Sequence, residues 1–351
     1  MDSPKLQNHT DFLAEPRPLI GKEGDELAVI VKATFARPRD SAELELAPRE
    51  AVRAIRSADL PWGDPEKSSI KYPSDLCLAK PGTDVIVVAR AYAPGDKPVP
   101  WFDAGLQAGS LRKLVRIFGL RVWESGGAAL SAPRPGACLE VRYDHAWGGL
   151  DLTDLTQPVE EPRNPVGVGI ARDLATLTHK AAPSIEDPAD PIRSARGKYV
   201  PAGLGAIGRS WEPRRRLLGT YDAQWLEERA PLLPADHDER GNLCASAGLV
   251  ASPPFKGGEE VALWNLTLGG GSVAFRLPKL RISIELKVKP REGEKPRDPQ
   301  KLFPYLDTVI IDTLEVPDDT LALVELVWRA RFRPPRRMKD ATVTIEEQEA
   351  K

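Results

Sequence analysis

Residues 279–289 read KLRISIELKVK, and aliphatic side chains alternate there with charged or polar ones. Because successive side chains of a strand point to opposite faces of its sheet, this pattern predicts a half-buried β-strand with one wet face. Residues 324–332, VELVWRARF, repeat the alternation and predict a second strand of the same kind. The two stretches place the chain in the mainly β class.

Further strands are predicted on both sides of these two. Residues 27–35, LAVIVKATF, are almost wholly apolar and β-branched, which is typical of a strand covered on both faces. Six other stretches have strand length: residues 84–92, 111–118, 137–143, 260–266, 272–277 and 307–312. Helical periodicity is confined to two turns at residues 49–56 and 223–229, too short for helices that stand alone. The predicted fold is mainly β, with an antiparallel β-sandwich-like core and few short helices.

Composition excludes several classes of protein. The 351 residues include 34 prolines, which break helix interiors and disfavour a helical bundle. The net charge of -2 gives no general attraction to nucleic acid or to an anionic membrane. The start, MDSPKLQNHTDF, has no apolar run of a signal peptide, so a cytoplasmic location is expected. Cys77, Cys138 and Cys244 are too far apart for a disulfide framework and are expected to be buried, reduced thiols.

One β-rich domain is predicted over residues 1–333. Within it, residues 144–258 lose the alternation and become a long irregular central segment rich in Gly, Pro and Trp. Residues 289–301 carry charge and proline, which suits a flexible excursion between two strands. Residues 334–351 are predicted to be a mobile charged tail. A basic cluster lies at its start, with Arg333 just before the tail and Arg336 and Arg337 within it. These arginines are predicted to be solvated rather than to form an electrostatic contact.

Motifs for nucleotide or metal chemistry are weak. The stretch GLGAIG at residues 203–208 has the spacing of a dinucleotide-binding loop but lacks the strand before it and the helix after it, so a glycine-rich turn is favoured and no cofactor is expected. Asp236, His237 and Asp238 could ligate a metal, yet neighbouring side chains diverge, so a turn stabilised by the aspartates is favoured. No metal site is predicted.

Two further groups of residues could carry a function, but a structural role is favoured for each. Cys138 and His145 could form a nucleophile and base, but a hydrogen-bonded histidine in a turn is favoured. The arginines at residues 214–216 follow Trp211, and packing of their stems on the indole is favoured over nucleic-acid binding. No catalytic residue is predicted.

Several short sequence motifs, which we call words, resemble those of a known protein family. They are VKATF at 31–35, SDLCLAKPGTDV at 74–85, WGG at 147–149, NPVGVG at 164–169, WEPRRRLLGTYDAQW at 211–225 and GGEEVALWNL at 257–266. With these words the chain, over roughly residues 10–332, resembles a bacterial domain-of-unknown-function family. Its members are linked to type VI secretion and are encoded beside PAAR-type spike-tip proteins and toxic effectors.

The resemblance implies a cytoplasmic, non-enzymatic adaptor. Such a protein binds a secreted effector or its PAAR-like domain and helps to load it onto the VgrG spike. The residues of the family signature, structural or partner-facing, are Trp147, Gly148, Gly149, Asn164, Pro165, Gly167, Gly169, Trp211, Arg214, Gly219, Thr220, Tyr221, Asp222, Trp225, Gly258, Glu259 and Asn265. Trp147 departs from the family, which favours Phe there, and residues 236–250 depart from its pattern as well.

The residues themselves favour an architectural role for these words. Asn and Gly permit positive φ, Pro fixes φ, and Trp packs over turns. Thr220 and Asp222 are expected to satisfy local backbone donors, and Trp225 is expected to bury against the sheet. Two other functions stay open: a carbohydrate-active β-sandwich hydrolase with Asp222 and Glu259 as paired carboxylates, and a structural component of the secretion particle.

Overall fold

The computed structural model describes residues 3–290, 295, 297–333 and 338–348. The strands of its first half are β1 Lys5–Asn8, β2 Leu13–Ile20, β3 Asp25–Pro38, β4 Glu45–Leu46, β5 Leu60–Pro61, β6 Ile70–Tyr72, β7 Thr83–Val88, β8 Arg90–Tyr92, β9 Trp101–Ala108, β10 Leu111–Phe118, β11 Trp123–Glu124, β12 Ala129–Leu130, β13 Cys138–Glu140, β14 Trp147–Gly148, β15 Leu150–Asp151, β16 Val159–Glu160 and β17 Val168–Gly169.

The second half carries the remaining elements. Its strands are β18 Ile185–Glu186, β19 Val250–Ala251, β20 Glu260–Trp264, β21 Ser272–Arg276, β22 Arg281–Val288, β23 Gln300–Leu302, β24 Leu306–Asp312, β25 Thr320–Phe332 and β26 Ala341–Gln348. Two short α-helices are α1 Arg214–Leu217 and α2 Ala223–Glu228. Single 3-10 turns span Arg49–Ala51, Pro94–Asp96, Tyr143–His145, Leu174–Leu177, Glu239–Asn242 and Met338–Asp340. The mainly β class is therefore confirmed.

A seven-stranded sheet forms the centre of the fold. Its order is β19-β7-β24-β25-β3-β2, and β4 pairs with β3. Strands β3 and β25 pair antiparallel along almost their whole lengths, and both are buried on both faces. The coverage predicted for β3 is confirmed. The wet face predicted for residues 324–332 is wrong, because Glu325 and Val327 on that face are buried as completely as Val324 on the other.

Two further sheets pack with the central one. A five-stranded antiparallel sheet has the order β18-β10-β9-β20-β21, and a four-stranded sheet has the order β1-β26-β22-β23. Val31 of β3, Leu106 of β9 and Ile284 of β22 lie in one apolar core, so all three sheets share it. The prediction was an antiparallel core, but two strand pairs are parallel: β24 with β7, and β1 with β26.

Among the strands with no counterpart in the predicted set, β2 and β9 are interrupted by proline or glycine. Strand β2 contains Pro16 and Pro18, yet it pairs with β3 in unbroken register at the edge of the sheet. An edge strand tolerates proline where the missing N–H would point to solvent. Strand β9 contains Gly105, and a Cβ there would overlap the backbone of Lys113 on β10. Glycine is required at that crossing of the two strands.

The predicted tail is partly a strand. Residues 341–348 form β26, which pairs with β22 and β1, so the mobile tail predicted for 334–351 is wrong over this stretch. The physical reason is an alternation that the acidic context obscures: Ala341, Val343 and Ile345 enter the main core. Arg336 and Arg337 lie outside the described residues. Arg333 pairs weakly with Glu23, and both side chains are almost fully exposed.

The excursion predicted at 289–301 and the helix predicted at 49–56 have different outcomes. Strands β22 and β23 pair antiparallel, so the excursion connects neighbouring strands, although residues 291–294 and 296 lie outside the described residues. Residues 49–56 form only one 3-10 turn, because the chain becomes extended at Val52 and carries Arg53 and Arg56 to carboxylates of the sheet. The helix predicted at 223–229 is confirmed as α2.

The central segment 144–258 is irregular as predicted, and it is ordered by a second, smaller core. That core contains Trp123, Trp147, Leu177, Ala182, Ile192, Ala195 and Tyr199. Trp147 meets Trp123 and Tyr199 edge-to-face, with ring centroids 6.4 and 5.0 Å apart. Such contacts stabilise irregular backbone where few ladder hydrogen bonds exist. No helix among the described residues has the length and apolarity needed to span a membrane.

Candidate functional site

The words at 147–149 and 164–169 lie against each other. Strand β14 of the first word pairs parallel with β17 of the second. Asn164 is completely buried, and its side-chain Nδ2 donates to the carbonyl oxygens of Tyr143 and Trp147, both at 2.9 Å. A buried amide that serves two carbonyls fixes irregular backbone on both sides of it. The two words therefore form one structural unit.

Glycines allow this close approach. A Cβ on Gly148 would overlap the carbonyl oxygen of Asn164, and a Cβ on Gly167 would overlap the Asn164 amide. Gly169 has φ of +123°, and a Cβ there would lie 2.6 Å from the Trp147 ring. No other residue type fits these three positions without displacing Trp147 or Asn164.

A hairpin projects from this unit. Strands β15 and β16 pair antiparallel between the two words, and we call residues 150–160 the leucine hairpin. Asp151 accepts hydrogen bonds from the backbone N–H groups of Thr153, at 2.9 Å, and Arg172, at 2.8 Å. Asp154 accepts one from the N–H of Thr156 at 2.9 Å. These carboxylates close the tip of the hairpin and fasten its base to the neighbouring chain.

The leucine hairpin exposes three leucines to solvent. Leu150 is 44% exposed, Leu152 is 52% exposed and Leu155 is 78% exposed. A groove of about 510 Å³ lies beside them, lined by Leu150, Leu152 and backbone of the glycine words. Leu150 and Leu152 line this groove together, and exposed apolar side chains grouped beside a groove are a feature of protein-binding sites. A rigid base and an exposed apolar tip make this hairpin the candidate functional site.

We expect the Asp151 carboxyl to titrate far below ordinary aspartates. Hydrogen bonds from the backbone of Arg172 and Thr153 lower its pKa to about 2. Because the ordinary pKa is about 3.9, the anchoring stabilises the hairpin above about pH 4 and is lost as the pH falls through about 2. Side-chain carbon shifts followed by NMR give the midpoint, and the Asp151→Asn variant identifies the signal. A midpoint near pH 4 would contradict the anchoring.

The word at 211–225 begins with buried groups. Trp211 packs edge-on to Tyr143, with ring centroids 5.6 Å apart. The buried guanidinium of Arg214 donates to the carbonyl oxygens of Ile207, at 2.6 Å, and Gly241, at 3.0 Å. The predicted packing of arginine on the indole is wrong, because unpaired carbonyls of the irregular chain attract the guanidinium more strongly. Arg215 and Arg216 instead extend towards Glu212.

The rest of that word forms a capped turn at the surface. Gly219 has φ of +96°. Thr220 donates through its N–H and its hydroxyl to Asp236, and the Asp222 carboxylate caps α2 by accepting the N–H of Trp225 at 2.8 Å. The predicted satisfaction of backbone donors by Thr220 and Asp222 is thus partly confirmed: Asp222 accepts a local N–H, whereas Thr220 is itself satisfied by Asp236.

The two later aromatic rings of this word, Tyr221 and Trp225, lie outside the main core. Trp225 donates from Nε1 to the carbonyl of Leu232 at 2.8 Å, and Tyr221 packs on it with centroids 4.8 Å apart. Trp225 therefore packs within its own surface loop. The prediction that it buries against the sheet is wrong. The Tyr221 ring is exposed.

The last signature residues surround β20. Gly258 has φ of +87°, and one oxygen of Glu259 accepts the backbone N–H of Lys256 at 2.8 Å. Asn265 has φ of +55°, donates to the Asp103 carbonyl and accepts from the N–H of Gly271, both at 2.8 Å. These contacts shape the turns that enter and leave the strand.

The residues weighed for chemistry lie in separate places. Asp222 caps α2 and Glu259 closes the turn before β20, and within the described chain they share no hydrogen-bonding partner. The Nε2 atom of His145 lies 3.2 Å from the Arg142 guanidinium. Burial, and secondly the positive charge of Arg142, lower the pKa of His145. Cys138 is exposed on β13 and forms no hydrogen bond to His145 in the described residues. Neither pair is joined by a hydrogen bond within the described residues.

The remaining motifs are structural turns. Asp236 bonds Thr220, the His237 Nδ1 lies 3.1 Å from the Leu218 carbonyl, and Asp238 accepts from the N–H of Arg240. Residues 203–208 lie beside β7, and their outer glycines contact the aromatic rings of Tyr143 and Trp211. Across the described ranges, no cluster of three His, Cys, Asp or Glu side chains has the arrangement of a metal site.

The three cysteines differ in burial, which corrects part of the expectation. They are free thiols, but only Cys244 is buried, whereas Cys77 is half-buried and Cys138 is exposed. Burial and the nearby Asp84 carboxylate raise the pKa of Cys244 to about 12. The Cys244 thiol is therefore neutral at physiological pH.

A buried ionic layer on the central sheet was not predicted. The Lys32 ammonium lies 2.7 Å from Glu325 and 2.9 Å from Asp75, and the Arg56 guanidinium contacts Glu325 as well. Burial raises the pKa of Asp75, but Lys32 and Arg56 outweigh it and hold the pKa below its ordinary value. One signal was visible in the sequence, since Lys32 interrupts the otherwise apolar stretch at 27–35.

The same layer continues along the sheet. Arg329 pairs with Asp307, and the Lys80 ammonium lies 2.7 Å from Asp84 and 2.8 Å from the Thr308 hydroxyl. Burial lowers the pKa of Lys80, but the Asp84 carboxylate more than compensates and raises it above its ordinary value. All of these charged groups are paired, and all except the partly buried Arg56 are buried, which is typical of a structural layer.

Comparisons with known proteins give one match. No curated protein and no solved structure matches the chain. The family model described as "uncharacterized protein conserved in bacteria (DUF2169)" matches residues 22–329, which include most of the central sheet without β2, the leucine hairpin and every signature residue. The chain therefore belongs to this bacterial family.

Proposed function

We propose that this protein is a non-enzymatic adaptor for type VI secretion. In this role it binds a secreted effector, or the PAAR-like domain of one, and promotes its loading onto the VgrG spike. The proposal starts from the resemblance of the signature words to families encoded beside spike-tip proteins and effectors. Membership of the bacterial family is compatible with it.

One observation carries the proposal: the leucine hairpin is an exposed apolar element on a rigid base. When a partner buries Leu152 and Leu155, each Å² of apolar surface removed from water stabilises the complex by about 25 cal/mol. The carboxylates of Asp151 and Asp154 hold the hairpin in shape before binding. A preformed element loses little conformational entropy when it binds, so a small apolar tip is sufficient for specific capture.

Edge-strand addition is less favoured at the central sheet. Strand β2 forms one edge, and Pro16 and Pro18 remove two donors from it. The opposite edge, β19, is only two residues long. Both features are typical of edges that resist pairing with another strand. The hairpin is therefore the better candidate for the effector-binding surface.

We expect the Leu152→Asp/Leu155→Asp variant to lose the partner. The wild-type chain is co-expressed with the effector or PAAR-type protein encoded beside it, and size-exclusion chromatography with light scattering measures the complex. The wild type should form a one-to-one complex, whereas the variant should bind at least about tenfold more weakly, because two carboxylates would be desolvated at the interface. The matched control is Leu268→Asp, since Leu268 is 63% exposed on a different turn.

Three outcomes would count against the proposal. A wild-type protein that forms no complex with either neighbouring product is not their adaptor. Equal weakening by the control and hairpin variants would remove the hairpin from the interface. An adaptor stays in the cell, so recovery of the protein in sheared secretion particles would favour a structural component instead.

A further inference from the structure

A second concave surface lies apart from the leucine hairpin. It is a cleft of about 560 Å³ where the end of β2 meets residues 76–81 and 233–242, and we call it the basic cleft. Aliphatic side chains form much of its wall, with Leu19 and Ile20 from β2 and Leu76, Leu78 and Leu233 from the facing segments. Such walls favour an occupant that has aliphatic side chains of its own.

The cleft carries more positive than negative side chains. Lys22, Arg209, Arg240 and Arg331 line it, against the carboxylates of Asp238 and Glu239. Arg240 pairs with Asp238 at 2.6 Å, and Arg331 pairs with Glu239 and with Glu26. These two arginines are therefore already neutralised by carboxylates of the protein.

The other two cations form no salt bridge within the described residues, although the Asp236 carboxylate interacts electrostatically with Lys22. The Lys22 ammonium donates to the carbonyl oxygen of Ala235 at 3.0 Å, and the Arg209 side chain is exposed. In the part of the chain that the structure describes, neither has a carboxylate at salt-bridge distance. They stand beside an apolar wall, where an ion pair with a ligand is stronger than in open water.

We propose that the basic cleft binds an extended acidic segment of a partner protein, in which carboxylates alternate with aliphatic side chains. The carboxylates would meet Lys22 and Arg209, while the aliphatic side chains would lie against Leu19, Leu76 and Leu233. Single-stranded nucleic acid also carries negative charge, but its binding sites present aromatic rings for base stacking. The walls of this cleft are aliphatic, so an acidic peptide fits them better.

A synthetic peptide tests this inference without any secretion protein. The probe is a fluorescein-labelled decapeptide of alternating aspartate and leucine, and fluorescence anisotropy with the full chain measures its Kd at low ionic strength. The Lys22→Glu/Arg209→Glu variant should bind about tenfold more weakly, because two attractive contacts become repulsive. The matched control, Lys97→Glu/Arg134→Glu, changes the net charge equally at exposed cations away from the cleft and should bind like the wild type.

Two further peptides and one further variant test whether binding requires both the charge and the aliphatic side chains. A lysine–leucine decapeptide and an aspartate–serine decapeptide should each bind at least about tenfold more weakly than the acidic, aliphatic one. The Ile20→Ser variant, which changes the wall without altering charge, should weaken binding about threefold. Circular dichroism confirms that each variant is folded.

The inference is overturned by equal weakening in the control variant, by equal binding of the lysine–leucine peptide, or by an oligothymidylate that competes as well as the acidic peptide. None of these outcomes depends on the effector complex, so the adaptor proposal and this one fail separately.

Discussion

Replacing Glu325 by alanine is expected to reduce the free energy of unfolding by about 3–5 kcal/mol. The Glu325 carboxylate is 0% exposed and contacts both Lys32 and Arg56. Without it, Lys32 keeps Asp75 and the carbonyl oxygen of Ala54 as partners, and Arg56 loses its ion pair but keeps a hydrogen bond to the carbonyl oxygen of Pro73. Urea denaturation followed by tryptophan fluorescence measures the loss.

Two controls separate ion pairing from simple truncation. Removal of Glu260, whose pair with Arg276 is exposed, should cost less than about 1 kcal/mol. In the double variant Lys32→Met/Glu325→Met, both partners become apolar, so at least about 1 kcal/mol should be recovered relative to Glu325→Ala. If Glu325→Ala costs no more than the exposed pair, the buried layer does not stabilise the sheet as argued.

The Gly169→Ala variant is expected to lose about 3 kcal/mol of stability. Its methyl group would lie 2.6 Å from the Trp147 ring, and the residue would keep a φ of +123° that side chains disfavour. Relief of the overlap requires Trp147 to leave its position between Trp123 and Tyr199. The loss therefore combines overpacking of the second core with backbone strain.

The same change should loosen the leucine hairpin. Gly169 belongs to β17, which pairs with β14 at the base of that hairpin. Limited proteolysis should cut the variant within residues 150–160 sooner than the wild type, and urea denaturation gives the stability. The control is Gly63→Ala, because a Cβ there meets nothing closer than 3.8 Å and should change stability by less than about 0.5 kcal/mol. Similar losses in both variants would contradict the account.

Several of the long strands could be predicted from local pattern: β22 and β25 from alternation, and β3 from a continuous apolar run. Strands β3, β22 and β25 are long and buried on at least one face, so these patterns are strong. Strands β2 and β9 were missed because Pro16, Pro18 and Gly105 argue locally against a strand. Only the pairing with β3 or β10 makes those residues acceptable, and pairing between distant segments is not written in a local pattern.

The sites were harder to predict for a different reason. The aspartates and leucines of residues 150–155 read as an ordinary polar loop, and nothing local shows that the leucines stay exposed. Glu325 reads as a wet residue because the layer that covers it comes from residues 53–75, far away along the chain. Burial of charge and exposure of apolar groups both depend on tertiary packing, which periodicity does not encode.

The long pairing of β3 with β25 also determines when the chain can fold. Strand β3 leaves the ribosome long before its partner β25, which directly follows β24 along the chain. Until β25 emerges, β3 has its neighbour β2 on one edge, but its other edge is unpaired and Lys32 has no Glu325 to receive its charge. The central sheet must therefore assemble after most of the chain has been synthesised, which is slow and prone to aggregation in a fold rich in long-range contacts.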